Sequence, residues 1–513
     1  MAFYLGSFLL DLLGLLTALV AVGYVFLLWS FQYWKRRNVP YFEPGIPWGT
    51  GGNPFKRNKL TIGEMFSDLY KRSKQNGWKY CGLFFFHNVR LLLVDLDLIK
   101  QIMAKDFHNF VDRGMFTNEK DDPLSCHLFA IGGVKWKNLR AKLSPTFTSG
   151  KMKTMFSTLA DCGLVLEKYV EEHIDNDTGI DMRDVLGKFS TDIIGSCAFG
   201  LNCNSFKDPD SPFMENGRKI FRPRPIDFLK FAFSENFPNL CKKLGMTVVP
   251  KEAGAFFRKV VEDTITYRQK NNCTRNDFLQ LLIEIMNDDV TKEEGLKGDG
   301  RTLTMDEAAA QCLVFFVAGF ETSSTAMTFA IYEMAQYQDI QDKVRAEIKA
   351  VLAKHDDKIT YDSLNELKYL KQVIDETLRM YPPVPLVTRE SAGDYKIPGE
   401  EVIIEKGTKV MVPIQGIHMD EELYENPLQF DPDRFTEENK KRRHPYAHIP
   451  FGEGPRICIG ERFGIMQIKV GLTSILRKFR VTLNKKTEVP LKLSTRSFFP
   501  TAEKGIWVNL EKL

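Results

Sequence analysis

The chain of 513 residues carries almost no net charge: 70 Lys and Arg against 66 Asp and Glu leave +4. So even a balance argues against a dedicated nucleic-acid binder. No C-x-x-C occurs. The nine cysteines stand at 81, 126, 162, 197, 203, 241, 273, 312 and 458. That odd, widely spaced set disfavours a disulfide framework and a cysteine zinc site, and fits buried thiols in a reducing compartment. No dinucleotide fingerprint is present, so no motif lets the chain draw electrons from NADPH by itself. No Gly/Ser linker, internal repeat or long low-complexity tract interrupts residues 50 to 513. One large, mainly helical domain is therefore expected, rather than the three that about 150 residues per domain would suggest. A composition of 43% hydrophobic and 27% charged residues excludes a disordered or collagen-like chain.

What the chain does have is phenylalanine: 39, against 16 Tyr and 6 Trp. Such a surplus fills a large core or lines a large apolar cavity. It also has one uncharged apolar run, Leu12 to Trp29. Eighteen residues at about 1.5 Å each give about 27 Å, close to one hydrocarbon core. The run has no basic residues before it and is long for a cleaved signal, so an uncleaved anchor over residues 1–34 is expected. Lys35-Arg36-Arg37 follows it, which puts the remaining chain on the cytosolic side. Residues 35–50, with Pro40, Pro44 and Pro47, read as a stiff linker, and 51–513 as the domain. The sequons at Asn176 and Asn272 are then expected to be unused.

Two helices matter. One runs from about Met305 to Tyr337, opened by a Thr304/Glu307 capping box. It is apolar on all sides near Cys312–Val317, and so buried. Gly319 in its middle costs about 1 kcal/mol against alanine and calls for a reason. The second covers about Leu364 to Met380 and stops before Pro382-Pro383. It places Glu376 and Arg379 on one face, as a surface pair or a buried one. Leu91–Asp95 reads as a strand.

The segment Phe451-Gly-Glu-Gly-Pro-Arg456-Ile-Cys458-Ile-Gly460 is a tight loop ahead of a helical run. Its amides can point at the sulfur and favour thiolate. A lone cysteine in a glycine-rich turn is ordinarily inert. The whole decamer, however, matches F-x-x-G-x-R-x-C-x-G, and the chain resembles the cytochrome P450 family. Trp136-Lys-Asn-Leu-Arg140, Ala318-Gly-Phe-Glu-Thr322, Glu376-Thr-Leu-Arg379 and Pro432-Asp-Arg-Phe435 resemble the family's other motifs in order and spacing. The resemblance spans the chain after the anchor and is greatest to microsomal insect enzymes of family six. It implies a mainly α fold with small β-sheets.

The resemblance further implies that Cys458 ligates the iron of haem b, with Phe451 packed near the sulfur. Trp136, Arg140, Arg456 and Arg389 would pair with the haem propionates. Thr322 and Glu321 would relay protons to the oxygen site, where Gly319 leaves room. A back-bonded helix threonine is the alternative for Thr322. Glu376, Arg379 and Arg434 would form a buried structural triad. The implied activity is a monooxygenase acting on a lipophilic small molecule, xenobiotic or hormone, in the endoplasmic reticulum or microsomal membrane. NADPH electrons would come through NADPH–cytochrome P450 reductase, with cytochrome b5 a further partner. Lys135, Lys137, Lys142 and Lys440–Arg443 are docking candidates, or a solvated face. Substrate contacts are expected in Phe107–Phe129, Phe315–Thr322, Val384–Val387 and Phe498-Phe499, and a membrane contact in Phe221–Leu240. A haem-thiolate isomerase or dehydratase, and a non-catalytic haem carrier, are the competing readings.

Overall fold

A computed structural model describes residues 2–52, 60–174, 177–208, 211–221, 225–287 and 303–513. The apolar run forms helix α1, Ala2–Ser30. From Leu10 to Trp29 every side chain but Leu27 is exposed. Contacts divide the chain into two compact units, residues 1–111 with 386–417, and residues 112–385 with 418–513.

The first unit is built on a four-stranded sheet. Strands β1 (Tyr80–Phe85) and β2 (Asn88–Leu93) form an antiparallel hairpin. β3 (Val387–Glu390) and β4 (Lys409–Val412) complete the order β1-β2-β4-β3, with β2 and β4 parallel. The expected strand at 91–95 is the end of β2. It stops at Leu93 because Asp95 caps a short helix, its side chain accepting from Leu98 N. Phe66, Leu69, Cys81, Leu83, Leu92 and Met411 form the core.

The segment read as a linker is instead built into this unit. Trp34 is fully buried and donates Nε1 to Leu83 O at 3.2 Å. Val39 is buried. Pro40 O accepts from Gly82 N at 2.7 Å, and Thr50 N donates to Phe84 O at 2.7 Å. A proline-stiffened spacer can still satisfy its backbone on a sheet edge, and this one does.

The second unit is helical. The Thr304/Glu307 capping box is present, with Glu307 N donating to Thr304 Oγ1 at 3.2 Å. In sequence order the elements around it are α2 (Gly133–Leu143), α3 (Ser149–Glu172), α4 (Met182–Phe199), the long α5 (Met305–Gln336), α6 (Lys368–Met380) and α7 (Glu461–Leu476). α5 packs against α4, α6 and α7. The helix expected from Leu364 breaks at Leu367, whose ψ is 85°. The Glu347 carboxylate accepts from Lys368 N, Tyr369 N and Leu370 N at 2.7, 2.7 and 2.9 Å, and so caps a new helix.

Much of the phenylalanine surplus is core. Phe199, Phe213, Phe257 and Phe316 form one cluster with ring centroids 5.1 to 6.2 Å apart, mostly edge to face. Phe315 packs on Phe147 at 5.3 Å and Phe278 at 4.1 Å. Phe315 and Phe316 both fall in a segment expected to meet substrate; Phe316 is buried in this cluster and Phe315 half-buried against its two partners.

Candidate functional site

The loop before α7 owes its shape to two glycines. Gly452 and Gly454 take φ of 73° and 74°, left-handed values that a side chain would resist. The chain then turns through residues 454–456, and Cys458 N donates to Phe451 O at 3.0 Å. Phe451 is thereby tied to the cysteine. Burial pushes the Cys458 thiol up. The Gly460 N–H, Arg140 and Arg113 act the other way, each favouring thiolate. The residue is enclosed enough for burial to dominate, yet its surface is accessible.

Several side chains converge near it. The Arg456 guanidinium lies 4.3 Å over the Trp136 ring. It donates to Ile131 O at 2.7 Å, with Asp112 at 3.9 Å. Arg140, one turn after Trp136 on α2, is half-buried. Burial pushes its guanidinium down and the charge of Cys458 pushes it up. Sequence reasoning missed Arg113, which lies 3.8 Å over the Phe129 ring and donates to Phe129 O at 2.9 Å. Nothing in its local pattern marked it; only its reach to Cys458 does.

Arg389, on β3 in the other unit, is 1% exposed. It donates to Thr388 O at 2.8 Å, and its buried Nε has no partner. Burial holds its guanidinium down to about 10. A buried cation whose only bonding acceptor among the described residues is a carbonyl calls for an anion.

α5 is buried over most of its length. Ala318 is its only exposed residue, and Thr322, one turn on, is partly exposed. The Thr322 hydroxyl donates back to Ala318 O at 2.5 Å, which is the alternative weighed for it. Glu321 is turned away, buried, and paired with Arg183 of α4 at 2.9 Å. The two relay candidates, adjacent in sequence, therefore do not meet through their side chains.

Gly319 has a different reason from the expected one. A Cβ on it would stand 2.3 Å from Ile194 Cδ1 and 2.9 Å from Cγ1. The small residue admits α4 against α5; the direction of its missing side chain is filled by isoleucine, not left to oxygen. Its carbonyl accepts from the buried Gln467 of α7 at 3.4 Å, a contact the sequence did not suggest.

The triad is assembled. Arg379 forks onto Glu376, Nε to Oε2 at 2.7 Å and Nη2 to Oε1 at 2.8 Å. Arg434 Nε stands 3.4 Å from Glu376 Oε1, and Asp431 N donates to the same oxygen at 3.0 Å. Arg379 also donates to His418 O and Pro427 O, at 2.9 and 2.8 Å. Burial pushes the Glu376 carboxyl up, and Arg379 opposes it.

The chain matches the family model for Cytochrome P450 over residues 44–509. The chain belongs to the cytochrome P450 family. It is 42% identical to Cytochrome P450 6A1 of Musca domestica, over 99% of this chain and 98% of that one. It is 42% identical to the Probable cytochrome P450 6a14 of Drosophila melanogaster, over 98% and 100%, and to that organism's Cytochrome P450 6a2, over 94% and 96%. As a P450 the chain is a haem monooxygenase. Within the second unit, an accessible thiol among arginines and an indole beside a guanidinium fit an iron porphyrin with two carboxylates.

Among the docking candidates, Lys135 is paired with Glu119 at 2.7 Å, Lys440 with Glu437 at 3.0 Å, and Arg442 with Glu438 at 2.5 Å. Those pairs offset part of the positive charge this P450 offers there. Phe129 and Phe498, from the expected substrate segments, are 39% and 47% exposed. Asn176 lies outside the described residues; Asn272 precedes an exposed Cys273.

Proposed function

We propose that this P450 is a membrane-anchored monooxygenase that takes electrons from NADPH through a separate reductase, with cytochrome b5 as a second donor, and oxidises a lipophilic small molecule. Bound haem supplies the oxygen activation, favoured by a thiolate ligand. Cys458 provides that ligand. Trp136, Arg140 and Arg456 hold the propionates, joined by Arg113, and the bonding of Phe451 to Cys458 limits solvation of the sulfur. Glu321, once released from Arg183, and the Thr322 hydroxyl would pass protons to the oxygen site. Glu376, Arg379 and Arg434 fix the segments on which the cysteine loop rests.

The observation that carries this reading is the accessible, arginine-flanked thiol of Cys458 inside the protein. A strongly red-shifted Soret band in the reduced, carbon-monoxide-bound protein, lost in Cys458→His, is the expected result. Full haem loading of the wild type without that band would overturn the assignment. Turnover that needs no NADPH would transfer the chain to the isomerase class. A turnover screen with reductase then separates xenobiotic from hormone substrates.

Helix α1 supports the anchor. Residues Leu10–Arg37 are long and apolar enough to cross a bilayer, and none of that window is buried in protein. The basic cluster Lys35–Arg37 supports the cytosolic face of the endoplasmic reticulum for the chain that follows it. Phe233, Phe237, Leu240 and Leu244, all exposed, are a second lipid contact.

A further inference from the structure

His418 stands between the Glu376–Arg379 pair and the cysteine loop, and bonds to both sides. Its carbonyl accepts from Arg379 Nη1 at 2.9 Å, and its ring Nε2 accepts from the backbone N–H of Ile449 at 3.0 Å. Ile449 passes the connection on. Its own carbonyl accepts from Gly452 N at 2.9 Å, in the turn that opens the loop, and Phe451 O accepts from Cys458 N at 3.0 Å. A series of hydrogen bonds, joined by short stretches of covalent chain, thus runs from the pair to the cysteine.

An imidazole is a costly way to fill this space. His418 is fully buried. An apolar side chain would occupy the same volume without taking two ring nitrogens out of water. An amide only donates, so Nε2 is the bare nitrogen and Nδ1 carries the ring hydrogen. Nδ1 is turned toward the Leu378 and Arg379 carbonyls, without a hydrogen bond of good geometry to either. The bond from Ile449 is therefore the contact that justifies the residue. Burial, with His448 and Arg379, holds the imidazole well below its ordinary range, so the acceptor is present at neutral pH. The His448 ring lies against it, centroids 5.2 Å apart and planes 26° from parallel. His448 Nε2 reaches the carbonyl of Asp375, also on α6, at 3.2 Å. The two rings seat the segment that enters the cysteine loop on that helix.

We propose that His418 is the positioning residue that transmits the Glu376–Arg379 pair to the cysteine loop. Its Nε2 fixes Ile449, Ile449 fixes the turn to Gly452, and the loop keeps the Cys458 sulfur where it stays bound as thiolate. The inference rests on reading Cys458 as the haem ligand.

Full-length holoenzyme in phosphatidylcholine vesicles provides the test, as wild type, His418→Leu and His418→Gln. All three keep the backbone carbonyl that Arg379 uses. Leucine has no acceptor, whereas glutamine carries a side-chain oxygen at the reach of Nε2. One readout is amide hydrogen exchange at Ile449 and Gly452, by mass spectrometry at single-residue resolution. The other is the position of the Soret band in the reduced, carbon-monoxide-bound protein. In the wild type the Ile449 amide is expected to be protected. In His418→Leu it exchanges about tenfold faster, as for a lost buried hydrogen bond, and a share of the red-shifted band moves back to the unshifted position. His418→Gln restores both. An Ile449 amide that exchanges as freely as an open loop in the wild type overturns the inference, and this measurement decides even where His418→Leu fails to fold. A fully red-shifted band in His418→Leu overturns the link to the sulfur. Equal losses in the leucine and glutamine variants overturn the role of Nε2. A haem-loaded wild type without the red-shifted band overturns the reading of Cys458 itself, and the inference with it.

Discussion

Arg183 Nη2 stands 2.9 Å from Glu321 Oε1, with the arginine 44% and the carboxylate only 7% exposed. The acid next to Thr322 in sequence is therefore held by a residue that water can reach. A proton can enter through that pair only if Glu321 leaves Arg183 and turns toward Thr322.

Glu321→Gln removes the transferable proton and keeps the size. Turnover is expected to fall on the order of 10²-fold, the low end for general acid help, with haem content and the carbon-monoxide spectrum unchanged. Arg183→Ala frees the carboxylate instead. Its expected effect is smaller in rate, and it appears as a changed ratio of NADPH consumed to product formed. Wild-type turnover in Glu321→Gln would remove Glu321 from proton delivery.

The cysteine loop, the triad and the long helix with its cap were legible in the sequence because each is written in contiguous residues at fixed spacing. The rest depends on partners far along the chain. Arg183 and Glu321 are 138 residues apart, and neither has a local pattern that names the other. Gly319 looked like room for a ligand because the small residue shows in the sequence and Ile194, which fills the space, does not. Trp34 fell beside a proline-rich stretch and gave no sign that a sheet receives it. Phe315 and Phe316 were placed by segment, whereas which face of a buried helix meets a cavity is a packing outcome.

Gly319→Ala sets two effects against each other. Alanine gains about 1 kcal/mol in helix propensity. A methyl driven into Ile194, 2.3 Å from its Cδ1, costs about 1–3 kcal/mol. The clash is expected to win, lowering the thermal midpoint. Combining it with Ile194→Ala should give a favourable coupling of about 1 kcal/mol or more in a double-mutant cycle. Simple additivity would show that Gly319 is not there for this contact.

Glu333 predicts a pH dependence of stability. Its Oε1 accepts from the Tyr381 hydroxyl at 2.6 Å. Burial pushes its carboxyl from 4.5 up to about 7, opposed by Tyr381. The folded state then holds a proton that the unfolded state releases between those values. The contribution is present in full below about pH 4.5 and is lost as the pH rises to about 7. The loss is about 3 kcal/mol at most. Glu333→Gln keeps the acceptor for Tyr381 and has no proton to lose. Its unfolding free energy should exceed that of the wild type at pH 8 and match it near pH 4.5. Parallel profiles for the two proteins would show that Glu333 titrates normally.

Glu376 is the most constrained acid in the protein, fully buried and shared by Arg379, Arg434 and the Asp431 N–H. Removing it leaves two guanidinium groups, one fully buried, without their carboxylate. Breaking a buried pair in this way costs about 3–5 kcal/mol. Glu376→Ala is therefore expected to lose haem on purification and to lack the carbon-monoxide band. The loss should come from the unpaired charge rather than the missing shape. Replacing both partners, Glu376→Leu with Arg379→Met, is expected to destabilise less than Glu376→Ala alone, because no charge is stranded. The double variant still forfeits the bonds from Arg379 to His418 O and Pro427 O, so it should not reach wild-type stability. Haem-replete, active Glu376→Ala protein would show that the cysteine loop does not depend on the triad.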